Sequence, residues 1–103
     1  MKYYIIAGEA SGDLHGSNLI ASIRKKDPRA KIRAWGGDLM KKQGATLVKH
    51  YRDLAFMGFV EVLMHLRIIL SNLRFCKKDI LKFAPDAIIL IDYPGFNIKV
   101  AKF

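Results

Sequence analysis

Short apolar runs alternate with amphipathic stretches along this chain, and this alternation limits its possible folds more than any other feature. Four runs predict strands: Tyr3–Ala7, Lys31–Trp35, Thr46–Lys49 and Ala87–Ile91. Between them, the spacing of apolar residues predicts helices over about Leu14–Lys25, Leu39–Gln43 and Phe59–Phe83. Strands that alternate with helices build a parallel sheet with helices on its faces. The sequence therefore predicts an α/β fold with a Rossmann-like parallel sheet.

The last of these runs is the most apolar segment of the chain. Every residue of Ala87–Ile91 is apolar, and such a run is typical of a strand buried on both faces of a parallel sheet. A further helix is predicted to begin after Pro94 and Gly95, and no stop signal follows it before Phe103. We therefore expect the chain to be one domain and the front part of a larger protein.

Composition excludes several classes of protein. The chain has 103 residues, of which 51% are hydrophobic, and this content excludes intrinsic disorder. The single cysteine, Cys76, excludes a disulfide scaffold and suits a reducing, cytoplasmic compartment. The first apolar run is too short for a signal peptide. The net charge of +9 favours anionic partners. No zinc-finger, RNP or helix-turn-helix pattern accompanies that charge, so no nucleic-acid partner is expected.

The loop after the first predicted strand carries candidate binding residues. It reads A-G-E-A-S-G-D-L-H-G and has neither the dinucleotide-binding nor the P-loop spacing of glycines. Glu9 is a candidate catalytic residue, because a carboxylate just past a buried strand is costly unless it is hydrated, paired or functional. Glycines and a helix N-terminus can hold an anion or a sugar hydroxyl. The candidate substrate-binding residues here are Gly8, Ser11, Gly12, Asp13 and His15.

A plain strand-to-helix turn is the alternative for this loop. In that interpretation Ser11 and Asp13 cap the helix that follows, and His15 is structural. The glycines then only allow the backbone to make the turn.

Asp92 follows the most apolar strand directly and is the leading catalytic candidate. It comes at the carboxyl end of a strand, where open α/β sheets bind their ligands. Partial desolvation at the rim of the sheet suits a general base that works near neutral pH. The alternative is an aspartate that caps the turn before Pro94, and Asn97 is either a sugar ligand or a helix-start residue. No group of His, Cys and Asp has metal-ligand spacing, so neither a metal nor a cofactor is predicted.

The long predicted helix has two apolar faces. One broad face includes Leu66, Leu70 and Leu73. A second, narrower face combines Val60, Met64, Ile68 and Phe75, with Arg67 and Arg74 beside it. Since a surface helix needs one apolar face, the second predicts contact with an anionic membrane surface. The alternative is that this face packs on residues outside the chain. Its charged residues keep the helix from spanning a bilayer.

Four motifs in the chain occur in a specific order: A-G-E-A-S-G-D-L-H-G-S-N-L-I, G-G-D-L-M, M-G-F-V-E-V-L and I-D-Y-P-G-F-N. In this order and spacing they resemble the amino-terminal part of the lipid-A-disaccharide synthase family. Members of that family have two Rossmann-like domains facing a cleft, the GT-B arrangement of glycosyltransferases. The resemblance implies that residues 1–103 belong to the acceptor-side domain. It also implies that the carboxyl-terminal UDP-sugar-binding domain lies outside this chain.

The resemblance also implies a reaction. The family transfers 2,3-diacylglucosamine from UDP to 2,3-diacylglucosamine 1-phosphate (lipid X), with inversion and without a metal, at the cytoplasmic face of the inner membrane. Asp92 matches the aspartate that opens the family's I-D-x-P-x-F-N motif, and Glu9 matches the acidic residue of its glycine-containing loop. Many members carry a second aspartate where this chain has Gly95, so this chain lacks that carboxylate.

Two interpretations of another class stay open. One is a Rossmann-like module that binds anions or nucleotides without catalysis. The other is an interaction domain that uses the long helix. The unfinished sheet further predicts self-association of the chain through an uncovered apolar edge.

Overall fold

The computed structural model describes residues 1–53, 66–91 and 100–102, and for residues 53 and 66–69 it describes the backbone. Its strands are β1 (Lys2–Ala7), β2 (Lys31–Gly36), β3 (Thr46–His50) and β4 (Ala87–Ile91). Its helices are α1 (Ala10–Lys26), α2 (Asp38–Lys42) and α3 (Leu66–Phe83), and a short 3-10 helix covers Tyr51–Asp53. The four predicted strands and three predicted helices are confirmed over these residues, and residues 59–65 of the long predicted helix lie outside them.

The strands form one parallel sheet in the described part of the chain, in the order β3-β2-β1-β4. Strand β1 pairs with β2 on one side, where Lys2 faces Lys31, and with β4 on the other, where Ala7 faces Ile91. After β1 the chain adds β2 and β3 on one side of that strand, and it later adds β4 on the other side of β1. Such a reversal is the topological switch point of a doubly wound sheet.

Each face of the sheet has its own apolar core. On one face, α1 and α2 cover a cluster that includes Ile5, Ile20 and Met40. On the other, the α3 residues Leu73, Cys76 and Ile80 pack on Tyr4 and on its neighbours in the sheet. Helices on both faces confirm the doubly wound, Rossmann-like fold predicted from the alternation of elements.

A polar network joins α3 to the sheet inside the second core. The Trp35 indole donates a 2.9 Å hydrogen bond to the Tyr4 hydroxyl, which donates at 2.8 Å to Asp79. Arg33 donates to both oxygens of that carboxylate, at 2.7 and 3.0 Å. Burial raises the pKa of the Tyr4 hydroxyl above its usual range and that of the Cys76 thiol to about 11. The network orients α3 on the sheet because each buried polar group has a partner.

Three details differ from the sequence predictions. Helix α1 begins at Ala10 rather than near Leu14. Leu70 was placed on the broad apolar face of the long helix, yet it is 41% exposed, because the buried stripe of α3 runs through Leu73, Cys76 and Ile80. Burial of β4 on both faces is wrong: Ile88 is 44% exposed and the other four residues are only partly buried, because β4 has only β1 as a neighbour among the described strands.

Candidate functional site

The candidate site lies at the carboxyl edge of β1 and β4, the switch point of the sheet. Strand β1 ends at Ala7, which pairs with Ile91, the last residue of β4. Gly8 and Glu9 follow β1, and α1 begins directly after them at Ala10. This edge therefore combines two strand ends with one helix N-terminus, an arrangement that open α/β sheets use to bind ligands.

Gly12 allows the first turn of α1 to lie on these strand ends. A Cβ atom at Gly12 would come within 2.9 Å of the Ala7 Cβ and 3.5 Å of the Ile91 Cγ2. Carbon atoms in good contact are about 3.5–4.0 Å apart, so a side chain at this position would push the helix off the sheet. The glycine thus sets how closely the loop from Gly8 to Asp13 approaches the switch point.

Glu9 presents a solvent-exposed carboxylate at this edge. It occupies the N-cap position of α1 in an extended conformation but makes no capping hydrogen bond with its side chain. The Ser11 hydroxyl donates to Glu9 Oε1 at 3.2 Å, which is the contact that orients the carboxylate. A carboxylate at a helix N-terminus is also favoured by the helix dipole. The Glu9–Ser11 pair is therefore exposed and able to accept or donate hydrogen bonds to sugar hydroxyls.

The sequence suggested that Asp13 caps its own helix, α1. In the structure its side chain has a different role. Its side chain is 3% exposed and points across to the β2–α2 turn. The Asp13 carboxylate accepts hydrogen bonds from the backbone N–H groups of Gly37, Leu39 and Met40, at 2.8, 3.2 and 3.1 Å. It therefore caps α2, and it ties the loop after β1 to the loop after β2. Its role as a substrate ligand stays a prediction.

The other predicted site residues fall into three groups. Gly8 is half-buried at the end of β1, whereas His15 is exposed on α1, and Arg74 is exposed on α3. Arg67 and Ile68 belong to the first turn of α3, where the structure describes the backbone. The remaining four lie outside the described residues: Asp92, Asn97, Val60 and Met64. The structure therefore brings together only the members of the first loop.

A second polar group at the carboxyl edge was missed by the sequence reasoning. His50 ends β3, and its Nε2 lies 3.5 Å from Asp38 Oδ1 at the start of α2. The Arg52 backbone N–H donates to His50 Nδ1 at 3.1 Å, so the neutral ring carries its proton on Nε2. The Tyr51 ring lies against Gly37, beside the Asp13 carboxylate. The available signals were a histidine directly after the third predicted strand and the aspartate of the G-G-D-L-M motif.

The described part of the chain offers no group of three or more His, Cys, Asp or Glu side chains that could hold a metal ion. Nor does it contain a helix with the length and apolar content needed to cross a membrane.

The fold and this edge define a doubly wound α/β domain whose polar residues gather at the switch point of the sheet. Comparison with known proteins is more specific, because the family model for lipid-A-disaccharide synthetase matches residues 3–103. The chain therefore belongs to the lipid-A-disaccharide synthetase family, which confirms the resemblance in its four motifs.

Individual relatives agree with this assignment. The chain is 45% identical over 101 residues to the lipid-A-disaccharide synthase of Geobacter metallireducens, covering 98% of the chain and 26% of the relative. It is 41% identical to that of Trichlorobacter lovleyi, over 98% of the chain and 26% of the relative. It is 44% identical to that of Neisseria gonorrhoeae, over 95% of the chain and 25% of the relative. The chain thus spans about a quarter of the length of these relatives.

Proposed function

We propose that this chain is part of the amino-terminal, acceptor-side domain of a GT-B glycosyltransferase that acts in lipid A biosynthesis. The proposed reaction transfers 2,3-diacylglucosamine from its UDP derivative to lipid X. The UDP-sugar would bind chiefly to a second, carboxyl-terminal domain outside this chain. The observation that carries the proposal is the switch point between β1 and β4, where the exposed Glu9–Ser11 pair lies beside two strand ends.

The proposed chemistry is a single displacement at the anomeric carbon, without a metal ion. The 6-hydroxyl of lipid X attacks that carbon, the bond from carbon to the UDP oxygen breaks, and UDP leaves with the bonding electrons. The configuration at carbon therefore inverts. The attacking hydroxyl must lose its proton in the same step, and a primary sugar hydroxyl is a very weak acid. A positioned base is typically worth about 10²–10⁴ in rate.

We assign the role of base to Asp92. Asp92 lies outside the described residues, so the assignment rests on its place in the sequence. Asp92 directly follows Ile91, and consecutive Cα atoms are about 3.8 Å apart. Because Ile91 pairs with Ala7, β4 ends beside the start of the loop that carries Glu9. Glu9 and Ser11 would then hold hydroxyl groups of the acceptor while Asp92 accepts the proton.

Replacement of each carboxylate by its amide in the full-length protein tests this assignment. Asp92→Asn keeps the size of the side chain but removes its basicity, so kcat is expected to fall by roughly 10² or more with little change in KM for the acceptor. Glu9→Gln keeps the hydrogen bond from Ser11 and should reduce kcat much less. Near-normal turnover of Asp92→Asn together with a large loss in Glu9→Gln would make Glu9 the base.

Asp86 provides a matched control, because it lies just before β4, at the opposite end of the strand from Asp92. Its carboxylate accepts a 2.8 Å hydrogen bond from the Lys2 backbone N–H, and an asparagine can still accept it. Asp86→Asn should therefore leave kcat unchanged. If this variant lost as much activity as Asp92→Asn, general damage to β4 would explain both results.

We further propose that the protein associates peripherally with the anionic cytoplasmic face of the inner membrane. The apolar residues Val60, Met64 and Ile68, with Arg67 and Arg74 beside them, would form the contact. The exposure of Arg74 supports this proposal, as does that of Phe75, which belongs to the same face of the helix and is 44% exposed. Long apolar side chains combined with arginines favour an anionic lipid surface.

Vesicle binding tests the membrane contact. Met64→Ser combined with Ile68→Ser should weaken binding to phosphatidylglycerol vesicles, and added salt should weaken binding of the wild type. Leu14→Ser combined with Leu39→Ser is the control, because both leucines are exposed on helices of the opposite face of the sheet. Equal binding by the wild type and the Met64/Ile68 variant would assign those residues to internal packing instead.

A further inference from the structure

Two adjoining cavities at the amino edge of the sheet are walled by cationic side chains. One has a volume of about 380 Å³ and is lined by Lys2, Arg29 and Lys31. The other has a volume of about 310 Å³ and is lined by Arg24, Lys31 and Arg33. Lys31 lines both cavities, which are here together called the amino-edge groove.

The amino-edge groove is remote from the candidate active site. Lys2 and Lys31 are the first residues of β1 and β2 and face each other across the sheet. Glu9 lies beyond the other end of β1, a strand of six residues. At about 3.3 Å per residue, the groove and the carboxyl edge are roughly 20 Å apart. A ligand in the groove would therefore not contact the Glu9–Ser11 pair.

Several cations near the groove already have partners. Arg33 is paired with Asp79 at 2.7 Å. The Arg24 guanidinium donates to the carbonyl groups of Gln43, Ala30 and Gly44, at 2.8, 3.0 and 2.9 Å. These two side chains stabilise the walls and are held in place by the fold.

Arg29 and Lys31 differ from these cations. Both are exposed, and neither side chain makes a hydrogen bond or ion pair with any other described residue. Asp86 also lines their cavity and keeps its negative charge there, because the group that its carboxylate accepts, the Lys2 backbone N–H, is neutral. With Lys2 they outnumber this carboxylate, so the lining of the cavity keeps a net positive charge, and the charges of Arg29 and Lys31 have no ion-pair partner among the described residues.

Helix dipoles do not account for these two charges. Helices α1 and α3 both end at this edge, and basic residues in the last turn of a helix offset the partial negative charge there. Lys25, Lys26 and Lys82 occupy those last turns. Arg29 and Lys31 lie beyond α1, in the loop and at the start of β2, so their positions need another explanation.

We propose that the amino-edge groove binds the phosphate groups of a small soluble anion, with Arg29 and Lys31 as its main ligands. Arginine donates two parallel hydrogen bonds to a phosphate, and lysine adds a point charge. The groove is concave and has room for a ligand of one or two phosphate groups, whereas a membrane surface would need a flat or convex contact. The site is separate from the proposed transferase site and does not depend on it.

Titration of the full-length protein with inorganic pyrophosphate in a calorimeter tests this proposal. We expect saturable binding that weakens at least about tenfold in the Arg29→Ala/Lys31→Ala variant. The matched control is Lys25→Ala/Lys26→Ala, which removes the same charge from the same edge but from residues that do not line the cavities. The control should bind within about twofold of the wild type, because the lost charges are exposed and screened by salt. Circular dichroism of both variants verifies the fold.

Four results would overturn the proposal. If pyrophosphate does not bind, or binds equally to the wild type and the Arg29/Lys31 variant, the groove is not its site. If both double variants lose affinity to the same extent, the effect is that of net charge alone. If the wild type binds phosphatidylglycerol vesicles through Arg29 and Lys31 but not pyrophosphate, the surface recognises lipid headgroups rather than a soluble anion.

Discussion

Replacing Gly12 by alanine should destabilise the protein, although a helix position normally favours alanine. Within a helix, alanine is more favourable than glycine by about 1 kcal/mol. Gly12 does not have the left-handed backbone conformation that would require a glycine. Among the described residues, the glycine with a positive φ is Gly44. The constraint at this position is therefore only the lack of room for a side chain. A new Cβ would lie 2.9 Å from the Ala7 Cβ, which is fixed to the backbone of β1 and cannot rotate away.

The size of the effect follows from two opposing contributions. Overpacking of a tight core typically costs about 1–3 kcal/mol, and the gain in helix propensity offsets about 1 kcal/mol of that. The net loss in the free energy of unfolding should be about 1 kcal/mol. The displaced first turn of α1 also carries Glu9 and Ser11, so we expect kcat to fall in the full-length protein.

Gly16 is the matched control on the same helix. A Cβ there would meet the Sδ and Cε of Met40 at 2.8 and 2.9 Å, and these atoms end a flexible side chain. Met40 can shift at small cost, so Gly16→Ala should be near neutral. Urea denaturation followed by the fluorescence of Trp35 measures both variants. The reasoning is refuted if Gly12→Ala is as stable as the wild type, or if Gly16→Ala is the more damaging change.

Two further predictions concern buried polar groups. Asp13→Ala should lower the free energy of unfolding by about 2–4 kcal/mol, because the backbone N–H groups that it caps at the start of α2 lose their acceptor; a loss below about 0.5 kcal/mol in urea denaturation would contradict this. Burial raises the pKa of Cys76 to about 11, so the folded protein keeps a proton that the unfolded chain releases above about pH 9. Stability should therefore be complete below that pH and fall by about 1 kcal/mol per pH unit up to the folded pKa. Cys76→Ala should make this slope shallower, and an unchanged slope would assign it to other groups.

Local signals along the chain were enough to predict most of the elements. The observed bounds of β4 coincide with the predicted Ala87–Ile91, because Pro85 ends the preceding helix and the apolar run is continuous. The start of α1 was placed too late because the segment before Leu14 contains Gly12, which lowers helix propensity. Packing of that turn on Ala7 and Ile91 outweighs the local preference.

The candidate site was predicted only in part. Glu9 was identified from its position just past a strand, and the structure confirms that it lies exposed at the carboxyl edge. The His50–Asp38 pair was not identified, since the two residues belong to different elements and His50 lies outside the four motifs, although Asp38 is the aspartate of G-G-D-L-M. Only the parallel pairing of β2 and β3 brings the two loops together.

The sequence by itself determined the class of fold and the family, because both depend on the order of local patterns along the chain. Periodicity, breakers and motif spacing can be recognised without any knowledge of distant contacts. The tertiary structure alone decided what Asp13 does, since its hydrogen-bond partners are 24 to 27 residues away. It also decided which cations share a groove, because Lys2 and Lys31 become neighbours only when their strands pair. Hydrogen bonds and charges act over a few ångströms, and only folding brings groups so far apart in the chain within that range.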